Sequence, residues 1–256
     1  MIWRIGYNER YHERGERNLT KCILSEYRND KCANCTPYCP HRISMMGLDG
    51  NGGRVSSAGL PKDYRDVTLS NSPVRASQSD IYALLDKYVA TFGGQDRVKS
   101  LYLWSVSPGT GKTTTASALI NAWIARDYLG ALKAGKQPRQ FSAIYFDVNE
   151  FQTSYNLATM TNNDDAMAKV GERIKRVQDA PFAVLDDIGV RGATDAFRSY
   201  LHAVINYRVT NALPTVYTSN LPIEELAEVF DDRLYDRIRD QAGVIHFKGG
   251  SKRGRR

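Results

Sequence analysis

The chain has 256 residues, 42% hydrophobic, 25% charged and 10% aromatic, a balance that excludes disordered and collagen-like proteins and lets a core form without disulfide staples. No run approaches the roughly 20 apolar residues of a membrane span, and the opening MIWRIGYNERYHERGER lacks the apolar centre of a signal peptide, so a cytoplasmic location is expected. Lys and Arg outnumber Asp and Glu by 35 to 28, an excess that suits either solubility or a polyanionic partner and that is densest in the closing SKRGRR.

Cys22, Cys32, Cys35 and Cys39 are the only cysteines, and all fall in one short window. Thiols used as small core hydrophobes would be scattered, so this confinement points to a local site. The two-residue spacer between Cys32 and Cys35 matches a knuckle turn that aims two thiolates at one metal, and Pro37 and Pro40 stiffen the segment. Four soft ligands suit a structural zinc ion. An iron–sulfur cluster and free or redox thiols stay open, and His41 or His12 could replace one cysteine. Residues 1–45 are therefore expected to form a small zinc module. The Gly- and Ser-rich stretch that follows, 46–60, has the composition of a flexible connector, and a larger domain is expected over 61–256.

Within that domain IYALLDKYVATF (81–92) has helical periodicity between Ser79 or Asp80 and Gly93-Gly94. Buried strands are expected at 100–106, 141–148, 181–189, 215–220 and 243–248. Helices are expected near 111–129, 149–159, 163–179 and 194–210, with short ones in 223–241. Apolar strands alternating with amphipathic helices specify an α/β fold, a parallel sheet covered on both sides.

The strand at 100–106 runs into SVSPGTGKTTT (105–115), a phosphate-binding loop in all but its first position, where Val106 replaces glycine. Pro108, Gly109, Thr110, Gly111, Lys112, Thr113 and Thr114 form the expected nucleotide-binding set. Gly109 and Gly111 let backbone N–H groups converge on phosphates at a helix N-terminus. Lys112 would reach the β- and γ-phosphates of ATP, and the Thr113 hydroxyl would ligate magnesium. FAVLDDIG (182–189) delivers two acids at a strand end. Asp186, nearer the strand, is assigned to the magnesium side, and Asp187 to polarising the attacking water as general base. Asn220, closing TVYTSN, could hold that water or the γ-phosphate. Arg233, Arg237 and Arg239 share helical spacing and by themselves indicate an exposed basic face.

PGTGKT (108–113), VLDDIG (184–189), INYRVTNALPTVYTSNLPIEEL (205–226) and RLYDRIR…VIHFKGGSKR (233–253) occur in the order found in AAA+ ATPases of the DnaC/DnaI-type replicative helicase loader family and the related IstB transposition helpers, which this sequence resembles from about Pro61 to Arg253. The resemblance implies an AAA+ P-loop core with a helix-sandwiched parallel sheet and no C-terminal lid domain. It makes Asn220 the sensor 1 residue and Arg237, with Arg233 second, the finger that enters a neighbouring subunit's ATP site. Arg253 takes a late basic position of sensor 2 type. It further implies ATP hydrolysis dependent on self-association, contact with single-stranded DNA and, by position in the chain, docking of the cysteine module on a hexameric DnaB-type helicase. A transposition helper ATPase and a non-hydrolysing, ATP-bound helicase inhibitor are the competing readings.

Overall fold

A computed structural model describes residues 22–27, 36, 38–94, 96–189, 194–230 and 232–251. In chain order the helices and strands are α1 (Pro40–Met46), α2 (Gly53–Ser57), α3 (Ser79–Ala90), β1 (Ser100–Trp104), α4 (Lys112–Lys133), β2 (Ala143–Asp147), α5 (Val148–Met160), α6 (Asp164–Asp179), β3 (Phe182–Asp186), α7 (Asp195–Thr210), β4 (Thr215–Ser219), α8 (Leu226–Val229), α9 (Asp232–Gln241) and β5 (Ala242–His246). The expected strands and helices of the larger domain are all present, with ends shifted by a few residues. No helix among the described residues is long and apolar enough to cross a membrane.

The five strands form one parallel sheet in the order β2-β3-β4-β1-β5. The chain leaves β1 for the far edge, returns strand by strand to β4 and then passes β1 to add β5. Connections therefore diverge on either side of β1, the arrangement in which open α/β sheets bind ligands at the C-terminal strand ends. The register sets Asp147 opposite Asp186, and the step beyond Leu185–Tyr217 brings Asp186 beside Thr218, so polar side chains of β2, β3 and β4 end at one level.

Alternation along each strand builds two cores. Leu101, Leu103, Val184 and Val216 pack under α3, α4 and the N-terminal segments. Tyr102, Phe146, Leu185 and Tyr217 pack under α5, α6, α7 and α9. Asp147, Asn163 and Thr194 cap α5, α6 and α7 by accepting the Glu150, Ala166 and Phe197 N–H groups at 2.9, 2.9 and 3.3 Å. By contrast α4 begins at Gly111 with no side-chain cap.

Two expectations are corrected. Residues 46–60 do not serve as a flexible connector: they contain α2, and Val55, Ala58 and Leu60 are buried in the α4-side core together with Met45 and Met46. The Ala58 carbonyl accepts the Tyr145 N–H at 2.7 Å, so this stretch covers the β2 edge of the sheet. The glycines that suggested flexibility permit close packing instead. Gly53 has φ +67° and sits where a Cβ would come within 2.4 Å of the Met45 carbonyl. β5, expected to be buried, is an edge strand with Val244 46% exposed and His246 exposed, its imidazole stacked 4.0 Å from the Trp104 ring.

Candidate functional site

The loop between β1 and α4 turns on Gly109 and Gly111, whose φ values of +73° and +101° L-residues rarely adopt. Val106 is not among the residues with positive φ and is 70% exposed, so the backbone there makes no demand for glycine. Val74 presses on Gly111, where an added Cβ would lie 2.7 Å from its methyl groups. The segment carrying Val74 is held by Ser72, whose hydroxyl lies 2.6 Å from that of Tyr82; Tyr82 in turn lies 2.9 Å from the Thr115 hydroxyl in the first turn of α4. Thr110 is buried, and its Oγ1 has no hydrogen-bond partner.

Lys112 is buried and points its Nζ at the Ser105 carbonyl (3.2 Å), the Ser107 carbonyl (3.4 Å) and Asn220 Oδ1 (2.9 Å). These acceptors gather the ammonium at the mouth of the loop, where a phosphate oxygen could replace them. Thr113 Oγ1 lies 3.1 Å from both Asp186 oxygens. Asp186, 6% exposed, also accepts from Thr218 Oγ1 and from the Tyr145 hydroxyl, each at 2.6 Å. Burial pushes its carboxyl above the usual carboxylate range, outweighing the hydrogen bonds from Thr218, Tyr145 and Thr113. The same carboxylate and burial push the Tyr145 phenol strongly upward, burial being the larger cause.

Asp187, half-buried, has φ +60°. Its N–H donates to Thr218 Oγ1 at 2.8 Å. Its carboxylate accepts from Asn149 Nδ2 at 2.7 Å and from Asn220 Nδ2 at 3.1 Å. Asn220 thus bridges the loop lysine and the second acid. Gly189 follows close against β4, where a Cβ would meet Ser219 Oγ at 2.8 Å.

A divalent cation fits this donor set. A buried carboxylate whose partners are neutral hydroxyls lacks a counter-charge, and it stands beside the Thr113 hydroxyl, an oxygen pair of the kind magnesium accepts while keeping water and phosphate ligands. No group of three or more His, Cys, Asp or Glu suited to a metal occurs among the described residues.

Lys112, Thr113, Asp186, Asp187 and Asn220 are therefore brought together by β1, β3 and β4. Arg233 and Arg237 are not part of that cluster. Both are exposed on α9, and neither has an ion-pair partner among the described residues, whereas Arg239 pairs with Asp236 at 3.1 Å and Asp240 at 3.5 Å. Arg253, Cys32, Cys35 and His12 lie outside the described residues, so the four-cysteine site and the late basic position are not placed. Cys22 is buried in the α4-side core, Cys39 precedes α1, and His41 Nδ1 lies 2.8 Å from the Tyr128 hydroxyl. Thr218, Tyr145, Asn149 and Val74 escaped the sequence reading. Thr218 lies within TVYTSN, but its hydroxyl meets Asp186 only because β3 and β4 lie side by side.

The sequence model of the family described as IstB-like ATP binding protein matches residues 96–256. The replicative helicase loader DnaI of Bacillus subtilis (strain 168) is 25% identical over 209 residues, covering 76% of this chain; the chain spans 59% of that protein's length. A crystal structure of DnaI is 24% identical with a TM-score of 0.55, over 78% of this chain and all of that one. The crystal structure of the DnaC helicase loader is 23% identical with a TM-score of 0.55, over 73% of this chain and all of that one. These two likenesses concern the fold.

Proposed function

Because the chain belongs to the IstB-like ATP-binding protein family, we propose that it is an ATP-driven loader that engages a replicative helicase and helps place it on single-stranded DNA. The observation that carries the ATPase part is the cluster in which Lys112, Asn220 and Asp187 form one hydrogen-bonded chain beside the Thr113–Asp186 pair. The likeness to DnaI supports the helicase as partner over a transposase, the partner that the transposition-helper alternative would have.

In this reading the first-turn N–H groups of α4, which no side chain caps, and Lys112 bind the phosphates. Thr113 and Asp186 would hold magnesium, which would supply positive charge to the phosphates. Asp187 accepts the proton of the attacking water, and Asn220 orients that water or the γ-phosphate. Arg237, exposed on α9, completes the site of an adjacent copy, so turnover depends on assembly. The cysteine segment, holding zinc through Cys22, Cys32, Cys35 and Cys39, docks the helicase in a cytoplasmic setting.

The decisive experiment is ATP turnover with and without single-stranded DNA and a copurifying hexameric helicase. Asp187→Asn should bind ATP and hydrolyse it about 100-fold more slowly. Arg237→Ala should bind ATP and lose turnover, and mixing it with Lys112→Ala should restore part of the activity. Absence of rescue from folded, co-assembling variants would remove Arg237 from the neighbour's site. Binding without turnover in the assembled wild type would favour the non-hydrolysing inhibitor. Elemental analysis should find one zinc per chain; iron, or no metal, would overturn that assignment.

A further inference from the structure

We propose that Thr218 is a positioning residue: its side-chain hydroxyl, presented from β4, ties Asp186 and Asp187 to one another, so that the magnesium-side and water-side carboxylates are offered to the substrate as one unit. The role assigned to the two acids rests on the ATPase reading above; the tie itself does not.

Three contacts converge on this residue, which is 1% exposed. Oγ1 donates to Asp186 Oδ1 at 2.6 Å and accepts the Asp187 N–H at 2.8 Å, and the backbone carbonyl accepts the Ile188 N–H at 2.9 Å. A hydroxyl has one proton to give and lone pairs to receive, so both side-chain bonds form at once. They form where the regular ladder stops. The β3–β4 register runs from Ala183 opposite Thr215 to Leu185 opposite Tyr217, and the chain then leaves β3 through Asp187 at φ +60°. Few L-residues adopt that conformation; Asp is among those that tolerate it, and hydrogen bonds to the main chain on either side of it help to fix it. Thr218 supplies the hold by taking two consecutive N–H groups, while the same side chain orients the neighbouring carboxylate.

The other hydrogen bonds to these acids divide the work. Tyr145 reaches Asp186 alone, and Asn149 and Asn220 reach only the Asp187 carboxylate. Among the described residues Thr218 is the one side chain bonded both to the Asp186 carboxylate and to the Asp187 main chain. One hydroxyl thereby holds the Asp186 carboxylate against the main chain from which the Asp187 carboxylate projects.

Thr218→Val keeps the branched shape and removes the hydroxyl, whereas Thr218→Ser keeps the hydroxyl and removes the methyl. Amide hydrogen exchange in the nucleotide-free protein reads the tie directly. Asp187 N–H exchange should accelerate at least about tenfold in Thr218→Val, since the amide loses its acceptor, and stay near wild type in Thr218→Ser. Magnesium titration followed by binding of a fluorescent ATP analogue should shift to higher magnesium in the valine variant. Its kcat should fall about 10–100-fold with KM for ATP little changed, the loss typical when a group orienting a metal ligand is removed. The serine variant should recover most of both.

Unchanged Asp187 exchange and magnesium dependence in Thr218→Val would overturn the proposal. So would a serine variant as impaired as the valine one, because the methyl's packing would then be the cause. A wild type that hydrolyses no ATP would sink the ATPase reading, while exchange at Asp187 would still decide whether Thr218 makes the tie.

Discussion

At the ends of β1, β3 and β4, backbone turns and polar side chains are held by hydrogen bonds that another ligand could take over: the Lys112 ammonium rests on carbonyls and Asn220, and Asp186 on hydroxyls. Along the β2 edge, the collar formed by residues 38–60 is held by buried methyls and by backbone packed against backbone, as where Gly53 meets Met45. The first arrangement is exchangeable and keeps charged groups ready at some cost in stability. The second excludes water and offers no displaceable partner. Ligand affinity and unfolding free energy should therefore respond to different substitutions.

Gly53→Ala should produce the largest effect. A Cβ would lie 2.4 Å from the Met45 carbonyl at a φ of +67°, and neither backbone can give way without lifting α2 from the core. A loss of about 3 kcal/mol or more in denaturant unfolding is expected. Gly135→Ala has similar backbone geometry, φ +66°, but meets nothing within 4 Å, and should lose only about 1 kcal/mol. Equal losses would show that the collar contact contributes little.

Lys112→Ala reverses the pattern. ATP affinity should fall about 10–100-fold, the worth of charge-assisted hydrogen bonds, while the unfolding free energy moves by less than about 1 kcal/mol. Isothermal titration and denaturant melts on the same preparation separate the two.

The smallest effect tests the cost of readiness. Because burial raises the Asp186 carboxyl in the folded state, its neutral form is favoured there. The associated stability is fully present below the ordinary carboxylate range and is lost as pH rises through the folded value. Thermal melts of the nucleotide-free protein in a chelator should accordingly find Asp186→Asn more stable than wild type at neutral pH, with the gap closing toward acid. A less stable Asp186→Asn at neutral pH would mean that the three hydroxyls more than offset the burial.

Local signals carried much of the architecture. Apolar runs bounded by turns marked all five strands, and β1 followed by SPGTGKT marked the phosphate loop, because side-chain periodicity and glycine placement act within a few residues. Composition misled where glycine served packing, at 46–60, since flexibility and close approach require the same residue. It also misled at β5, since an apolar run does not reveal whether another strand lies beyond it.

Arg208 shows the limit most directly. In the sequence it is one more basic residue on a helix. In the fold it is fully buried, donating to the Val177, Ala180 and Pro214 carbonyls at 2.6, 2.8 and 2.9 Å and to Thr215 Oγ1 at 2.8 Å, with burial bringing its guanidinium down to about 10. Sequence alone determined the loop, the paired acids, Asn220 and the α/β alternation, all of which are set by neighbours along the chain. The shared Thr218 hydroxyl, the Tyr145 contact to Asp186, the collar on the β2 edge and the burial of Arg208 were decided only by tertiary structure. Each depends on which segments lie side by side across the sheet, and hydrogen-bond partners tens of residues apart leave no local pattern.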